Sequence, residues 1–331
     1  LLENVEAREM RVLLLQLDGK IPNIALMRIA HHHRNDSVEL RWGFNGRHLG
    51  DDFDRVYASA IFEKTRPKVD RVLAEFPQAI VGGTGVDLRI TLEQHGITTN
   101  EQDYSHYPDW RQSIGFSQRG CRLKCSFCVV PKKEGAVTEQ QSIAEIWRGD
   151  PWPREVILLD NDFFGQPNWR SRVDELMRGK FKVSFNQGIN ARMLNDETAA
   201  AIAGIDYRAD DMKSRRIYTA WDNRKDEHRL FDGLAALTKH GVSPSHIMVY
   251  MLIGFWSWET SSDWDYRRQR LREFGALPYP MPYVRNDETV GFQRFVITHY
   301  DKCCSWQDYK RSGYRSPFAG KDFSTSEFAF A

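Results

Sequence analysis

Short apolar runs recur along the chain, each followed by a segment of helical period, and this alternation limits the fold more than any other feature. Val12 to Leu17 reads as a strand buried on both faces, and a helix follows Pro22 with Ile24, Met27 and Ala30 on it. Further strands are expected at Val38 to Leu40 and Arg55 to Phe62. A helix at Val69 to Phe76 then leads into Ala79-Ile80-Val81 and the turn Gly82-Gly83-Thr84-Gly85. From Thr91 to Trp110 the sequence is polar and aromatic without a period, which predicts a linker. Strand-then-helix order of this kind predicts a parallel α/β sheet.

The unit repeats more regularly in the second half. Expected strands are Ser113 to Phe116, Glu155 to Leu159, Lys182 to Phe185, Arg216 to Thr219 and His246 to Ile253. Between them lie helices at Thr138 to Trp147 (Thr138 and Gln141 as a capping box), around Trp169 to Met177, Asp196 to Ala203, Asp226 to His240 and Asp263 to Phe274. The Pro-rich stretch Leu277 to Tyr283 closes a series of about six strand-helix steps. That count predicts a partial (β/α)6 barrel with its chemistry at the carboxyl ends of the strands. The expected division is an N-terminal sheet domain over 1–105, the barrel over 106–290 and a C-terminal extension over 291–331.

Composition narrows the class. A net charge of +1 removes the compositional argument for nucleic acid held by bulk electrostatics. The apolar run His246 to Trp256 is shorter than the roughly 20 residues a bilayer requires. No basic stretch followed by an apolar core opens the sequence, so the expectation is a cytoplasmic protein with no membrane partner. Five cysteines, three of them between positions 121 and 128, point to reduced thiols gathered on metal rather than to a disulfide framework.

The segment Ile114-Gly-Phe-Ser-Gln-Arg-Gly-Cys-Arg-Leu-Lys-Cys-Ser-Phe-Cys-Val-Val-Pro131 carries the chemistry. Three thiolates on one short loop can reach three irons of a four-iron, four-sulfur cube and leave the fourth iron open. A zinc knuckle and three unrelated core thiols are the alternatives, although structural zinc favours four ligands and no fourth Cys or His lies close in sequence. In its CxxxCxxC spacing after a strand that opens a βα series, the chain resembles the radical S-adenosylmethionine (SAM) superfamily. The resemblance spans roughly Val12 to Tyr283.

That resemblance implies a [4Fe-4S] cluster on Cys121, Cys125 and Cys128, with SAM on the open iron. It implies reductive cleavage of SAM to a 5′-deoxyadenosyl radical that acts on an unknown substrate. A reductant such as flavodoxin or ferredoxin would supply the electron. Phe127 would pack by the adenine, and Asp160, Asn161 and Asp162 would bind the SAM amine. Asn186-Gln187-Gly188 and Trp221-Asp222, with Gln187 and Asp222 foremost, would face ribose, carboxylate or substrate. Leu252-Ile253-Gly254 looks like the fifth-strand motif, with Ile253 against adenine, whereas Glu259 reads as a helix-start carboxylate.

The first hundred residues resemble the Rossmann-like, cobalamin-binding domain that precedes many radical SAM barrels, including its Gly82-Gly83 turn. They are shortened and carry no Asp-x-His-x-x-Gly motif, which leaves cobalamin set against a plain scaffold. A cobalamin-dependent methyltransferase, a methylthiotransferase-like enzyme (on the likeness of Phe127 to Pro131 with Gly135) and a non-catalytic iron-sulfur or zinc protein are the other readings. The methylthiotransferases carry a second cluster on amino-terminal cysteines, and no cysteine precedes Cys121 here. Cys303 and Cys304 read either as small hydrophobes or as a thiol, Cys304, serving catalysis at the barrel mouth. His31-His32-His33 reads as helix surface. Arg267, Arg268, Arg270 and Arg272 read as a solvated basic face, as do Lys132 and Lys133 on the cysteine loop.

Overall fold

Five consecutive buried residues make Arg11–Gln16 (β1) a central strand with packing on both faces. Residues 8–44 and 52–311 are described by a computed structural model, so part of the expected C-terminal extension, 312–331, lies outside the described residues. Contacts divide the chain into two units, one running to Arg111 and one beginning at Gln112.

In the first unit the elements run β1, α1 (Ile24–His32), β2 (Ser37–Trp42), β3 (Arg55–Ser59), α2 (Arg66–Glu75) and β4 (Ile80–Gly82). All four strands are parallel, in the order β2-β1-β3-β4. Side chains of β1 alternate between helices: Leu13 and Leu15 meet Val69 and Val72 of α2, while Val12 and Leu14 meet Leu26 and Ile29 of α1. Gly83 follows β4 at φ +111°, where a Cβ would lie 2.2 Å from the Ala60 carbonyl oxygen, so the turn tolerates only glycine.

The stretch expected to be a linker is packed instead. Ile97, Tyr104 and Tyr107 are buried, the Asp103 amide donates to the Met27 carbonyl at 3.1 Å, and Arg28 donates to the Thr99 carbonyl at 2.6 Å. These contacts are scattered singly, so no sequence period announces them. His33 also departs from the surface reading. It is buried between Asp36, 2.8 Å from Nδ1, and the Tyr57 hydroxyl, 3.0 Å from Nε2.

The second unit begins with β5 (Ser113–Gly115), β6 (Gln118–Arg119), α3 (Val130–Lys133), β7 (Thr138–Glu139) and α4 (Ile143–Ile146). Here the expected helix from Thr138 is corrected. Thr138 and Glu139 pair antiparallel with Arg119 and Gln118, and the helix starts only at Ile143, under a Ser142–Glu145 capping box. The series continues with β8 (Glu155–Leu158), α5 (Trp169–Arg178), β9 (Lys182–Phe185), α6 (Asp196–Gly204), β10 (Asp206–Tyr207), β11 (Ile217–Ala220) and α7 (Glu227–Lys239). It ends with β12 (Ile247–Ile253), α8 (Ser261–Phe274), β13 (Leu277–Pro282), α9 (Asp287–Ile297) and α10 (Trp306–Arg311).

Two parallel sheets result, ordered β10-β9-β8-β5 and β11-β12-β13. Beyond the end of β9, the Ile189 amide donates to the Tyr218 carbonyl of β11 at 2.8 Å, so the sheets touch there. Val156, Leu158, Val183, Phe185, Val249 and Met251 face the helix-side core. The alternate positions form a second row: Ile114, Ile157 and Ser184 in register, then Tyr218, Tyr250 and Tyr279. Proline at every second position of β13 removes backbone donors on one side only, which an edge strand tolerates. Among the described residues no helix is long and apolar enough to cross a membrane.

Candidate functional site

The cysteine loop leaves the end of β5 and is fastened at its base. Beyond the β6–β7 pair, the Gln140 amide donates to the Ser117 carbonyl at 3.0 Å, and the Cys121 amide to the Gly135 carbonyl at 3.2 Å. Gly120 sits at φ +76°, where a Cβ would lie 2.1 Å from the Ala136 carbonyl oxygen, so the approach of the two loop ends requires glycine beside Cys121. Glu134 reaches back across the loop. It accepts from Arg119 at 2.6 Å, from the Gly120 amide at 2.9 Å and from Asn161 Nδ2 at 2.8 Å. Burial alone would raise the Glu134 carboxyl, but these donors hold it below its ordinary value.

Cys121, Cys125 and Cys128 are free thiols, each part-exposed. Burial pushes all three up, Cys121 to about 11; neighbouring thiols add to the rise at Cys121 and Cys128, and the carboxylates of Asp222 and Asp226 add to it at Cys125. Opposing contributions come from the Leu123 and Val130 amides at Cys121 and Cys128, and from the positive charge of Arg192 at Cys125. Among the described residues no group of three or more His, Cys, Asp or Glu side chains forms a site for a single metal ion. As donors, however, three sulfurs on one short loop match the ligand chemistry of an iron-sulfur cube.

The loop after β8 braces this segment. Asp160 is buried and accepts from the Ser117 amide at 2.8 Å and from the Ser117 hydroxyl, tying the end of β8 to that of β5. Asp162 takes a forked pair from Arg122, 2.7 Å from Nε and 3.0 Å from Nη2, and also the Arg122 amide at 3.1 Å. With Asn161 on Glu134, all three residues expected at the SAM amine make bonds that hold the cysteine loop.

Burial drives the Asp160 carboxyl up to about 7, against the opposing Ser117 bonds. A folded value above the unfolded one, about 3.9, means the native state binds the extra proton. The resulting penalty is absent below pH 4, grows as pH rises and is complete above about 7. Asp160→Asn carries no such charge, so its stability relative to wild type is expected to improve by up to about 4 kcal/mol between pH 4.5 and 7.5. Urea unfolding of both proteins at the two pH values measures this, and an equal difference at both would contradict it.

Asp222 follows β11 and lies within electrostatic reach of Cys125 and Cys128. Burial raises its carboxyl to about 6, offset by Arg192 and Arg267. Phe127 meets the Phe255 ring edge-on at 5.6 Å, which joins the cysteine loop to the loop after β12. Ile253 is fully buried in the helix-side core, and its carbonyl accepts the Tyr283 amide at 2.9 Å. Gln187 bonds locally to Asn186 Oδ1 at 3.1 Å, while Asn186 itself is held by Asp210 at 2.9 Å. The structure does not bring Cys304 to these loops. It follows α9, packs against the helix-side core and places Sγ 3.6 Å from the Tyr300 carbonyl.

Besides Glu134, sequence reasoning missed the roles of Arg192, Arg267 and Glu259. Arg192 donates from Nη1 to Asp226 at 2.6 Å and sets its positive charge within electrostatic reach of Cys125, yet it stands in a single short turn of helix with no motif around it. Arg267, read as solvated, is fully buried. It donates to the Trp221 carbonyl at 2.6 Å and the Leu252 carbonyl at 2.8 Å, and its Nη2 lies 2.7 Å from Glu259 Oε1. Glu259, read as a helix-start carboxylate, is buried with it and accepts from Trp264 Nε1 at 2.9 Å. A signal for Arg267 existed in the helical period, since Trp264, Arg267, Arg268 and Leu271 fall on one stripe. No protein-family model and no curated protein matches the chain.

Proposed function

We propose that this chain is a radical SAM enzyme whose second unit is a partial (β/α)6 barrel carrying a [4Fe-4S] cluster on Cys121, Cys125 and Cys128. The observation that carries the reading is the placement of three thiols on one braced loop after the first of the seven parallel strands of this unit. When bound, the cluster with SAM supplies reductive cleavage that delivers a 5′-deoxyadenosyl radical to the substrate. The protein's part is binding, orientation and exclusion of water. Glu134, Asp162 and Asp160 fix the loop, Phe127 and Phe255 cover one side of it, and Arg192 sets positive charge beside Cys125.

In the first unit, a ligand crevice would lie between the carboxyl ends of β1 and β3, where the strand order reverses. That place is filled by the protein's own side chains. The Tyr107 hydroxyl donates to Gln16 Oε1 at 2.8 Å and accepts the Asn23 amide at 3.3 Å, and Asn23 Nδ2 donates to Ser59 Oγ at 2.9 Å. All four residues are buried, which favours a scaffold over a cobalamin site.

Anaerobic reconstitution with iron and sulfide, followed by reduction in the presence of SAM, tests the proposal. Methionine and 5′-deoxyadenosine are expected. A reconstituted cluster that yields neither 5′-deoxyadenosine nor S-adenosylhomocysteine would instead mark a binding or electron-transfer protein.

A further inference from the structure

The interior row of the second unit carries a polar cluster that takes no part in bracing the cysteine loop. Between β10 and β11 the chain folds back on itself. The Arg208 amide donates to the Val183 carbonyl at 2.8 Å, and the Ala209 amide to the Ser214 carbonyl at 2.8 Å. Met212, buried in this turn, stands at φ +55°, a left-handed backbone that side chains rarely adopt. The turn delivers Asp210 to β9, where its carboxylate accepts from the buried Ser184 hydroxyl and from Asn186 Nδ2 at 2.9 Å. Tyr218, Tyr250 and Tyr279 continue the row on β11, β12 and β13. The charge of Asp210 reaches both Tyr218 and Tyr250. Tyr250 lies parallel to Tyr218 with ring centroids 5.7 Å apart and meets Tyr279 edge-on at 5.7 Å.

Asp210 has no counter-charge. Among the described residues no Lys, Arg or His lies at ion-pair distance from it. Arg216, the cation felt by Tyr218 and Tyr250, donates to the Ser245 carbonyl at 3.2 Å. Burial raises the Asp210 carboxyl, as expected of a carboxylate that lacks a cation. The row is also not sealed. Asp210, Asn186, Ala220, Tyr279 and Met281 each keep part of their surface exposed, whereas Val183, Phe185, Thr219 and Pro280, which alternate with them, are buried. Strand parity places the cluster relative to the cysteines. Ile217 and Trp221 belong to the helix-side core, so Tyr218, Ala220 and Asp222 share the interior face. Tyr250 pairs with Ala220, about 7 Å along the strand from Asp222, the carboxylate within electrostatic reach of Cys125 and Cys128.

We propose that Asp210 anchors a protonated amine of the substrate, with Tyr218, Tyr250 and Tyr279 as the aromatic wall beside it. An ammonium group is a compact cation with three donors, and a carboxylate has lone pairs beyond the two used by Ser184 and Asn186. Tyrosine rings add attraction for a cation. A neutral group in the same place would leave the buried charge unbalanced, and an anion would oppose it. The proposal rests on the radical SAM reading for its relevance to catalysis, because it names the class of substrate held on the face that leads to Asp222.

Titration of the full chain with n-butylammonium, followed by ligand-observed NMR, tests the site. Saturable binding is expected, about tenfold or more tighter than that of n-butanol, which has the same carbon chain and no charge. That comparison uses the wild-type protein and stands even where a variant fails to fold. Asp210→Asn should lose the amine by about tenfold or more and Tyr279→Ala by about threefold or more. Asp211→Asn, the same charge change at the exposed neighbour, should bind as wild type does. SAM added to the reconstituted protein should leave the amine affinity within about twofold, because the two occupy different places. The proposal is overturned by no saturation at about 50 mM amine, by alcohol bound as tightly as amine, by unchanged affinity in folded Asp210→Asn, or by competition from SAM. Cleavage of SAM is read separately. Its failure with amine binding intact sinks the radical reading alone, and its success without amine binding sinks the anchor alone.

Discussion

Cys125→Ala is expected to fall from about four irons and four sulfides per chain to below one after reconstitution, with loss of SAM cleavage. The side chain contributes one of three donors on the loop, and none of the bonds that close the loop passes through it: those belong to Gly120, Cys121, Glu134 and the β6–β7 pair. Its circular dichroism should therefore match wild type, which separates a missing ligand from a misfolded chain. Cys304→Ala, altered after α9 where the thiol packs against the helix-side core, should retain its full iron content. Iron and sulfide that stay intact in Cys125→Ala would refute the ligand assignment.

Glu259→Ala should destabilise the protein by about 3–5 kcal/mol, because it strands the fully buried Arg267 guanidinium without its carboxylate. Burial already opposes both charges, pushing the Glu259 carboxyl up and the Arg267 guanidinium down. Their attraction and the two carbonyls held by Arg267 offset that cost. Against a total stability of about 5–15 kcal/mol, the loss is large. The double variant Glu259→Leu with Arg267→Met removes both charges and should regain part of the loss. Denaturant unfolding of the three proteins measures this. A single variant as stable as wild type would show that the pair does not clamp the ends of β11 and β12.

The parallel α/β plan was legible because buried strands and amphipathic helices differ in period, and most elements from β8 to β12 lie within two residues of their expected ends. Where two signals competed, tertiary context decided. Thr138 and Ser142 both open a capping pattern, but Thr138 and Glu139 pair with the strand before the cysteines, and Ser142 keeps a charged Glu145 partner. The cysteines were legible by spacing. Arg192, Glu134 and the Arg267–Glu259 pair were not, because a charged residue in sequence looks the same whether it faces water or a strand end. For α8 the period alone marks the buried stripe, and the chemical identity of two arginines on it hid that stripe. Tyr107 was hidden for a different reason: a single anchoring side chain in an aperiodic stretch leaves no pattern to read.

The clasp at the base of the cysteine loop has a consequence for the protein's life in air. On the proposed reading, the two-residue ladder, the Glu134 bridge and the glycine at 120 close the loop through bonds that do not involve the cysteine side chains, so loss of the cluster to oxygen would leave a folded vessel rather than an unravelled one. Rebuilding would then be a matter of reducing the sulfurs and refilling the cradle, without a fresh round of synthesis.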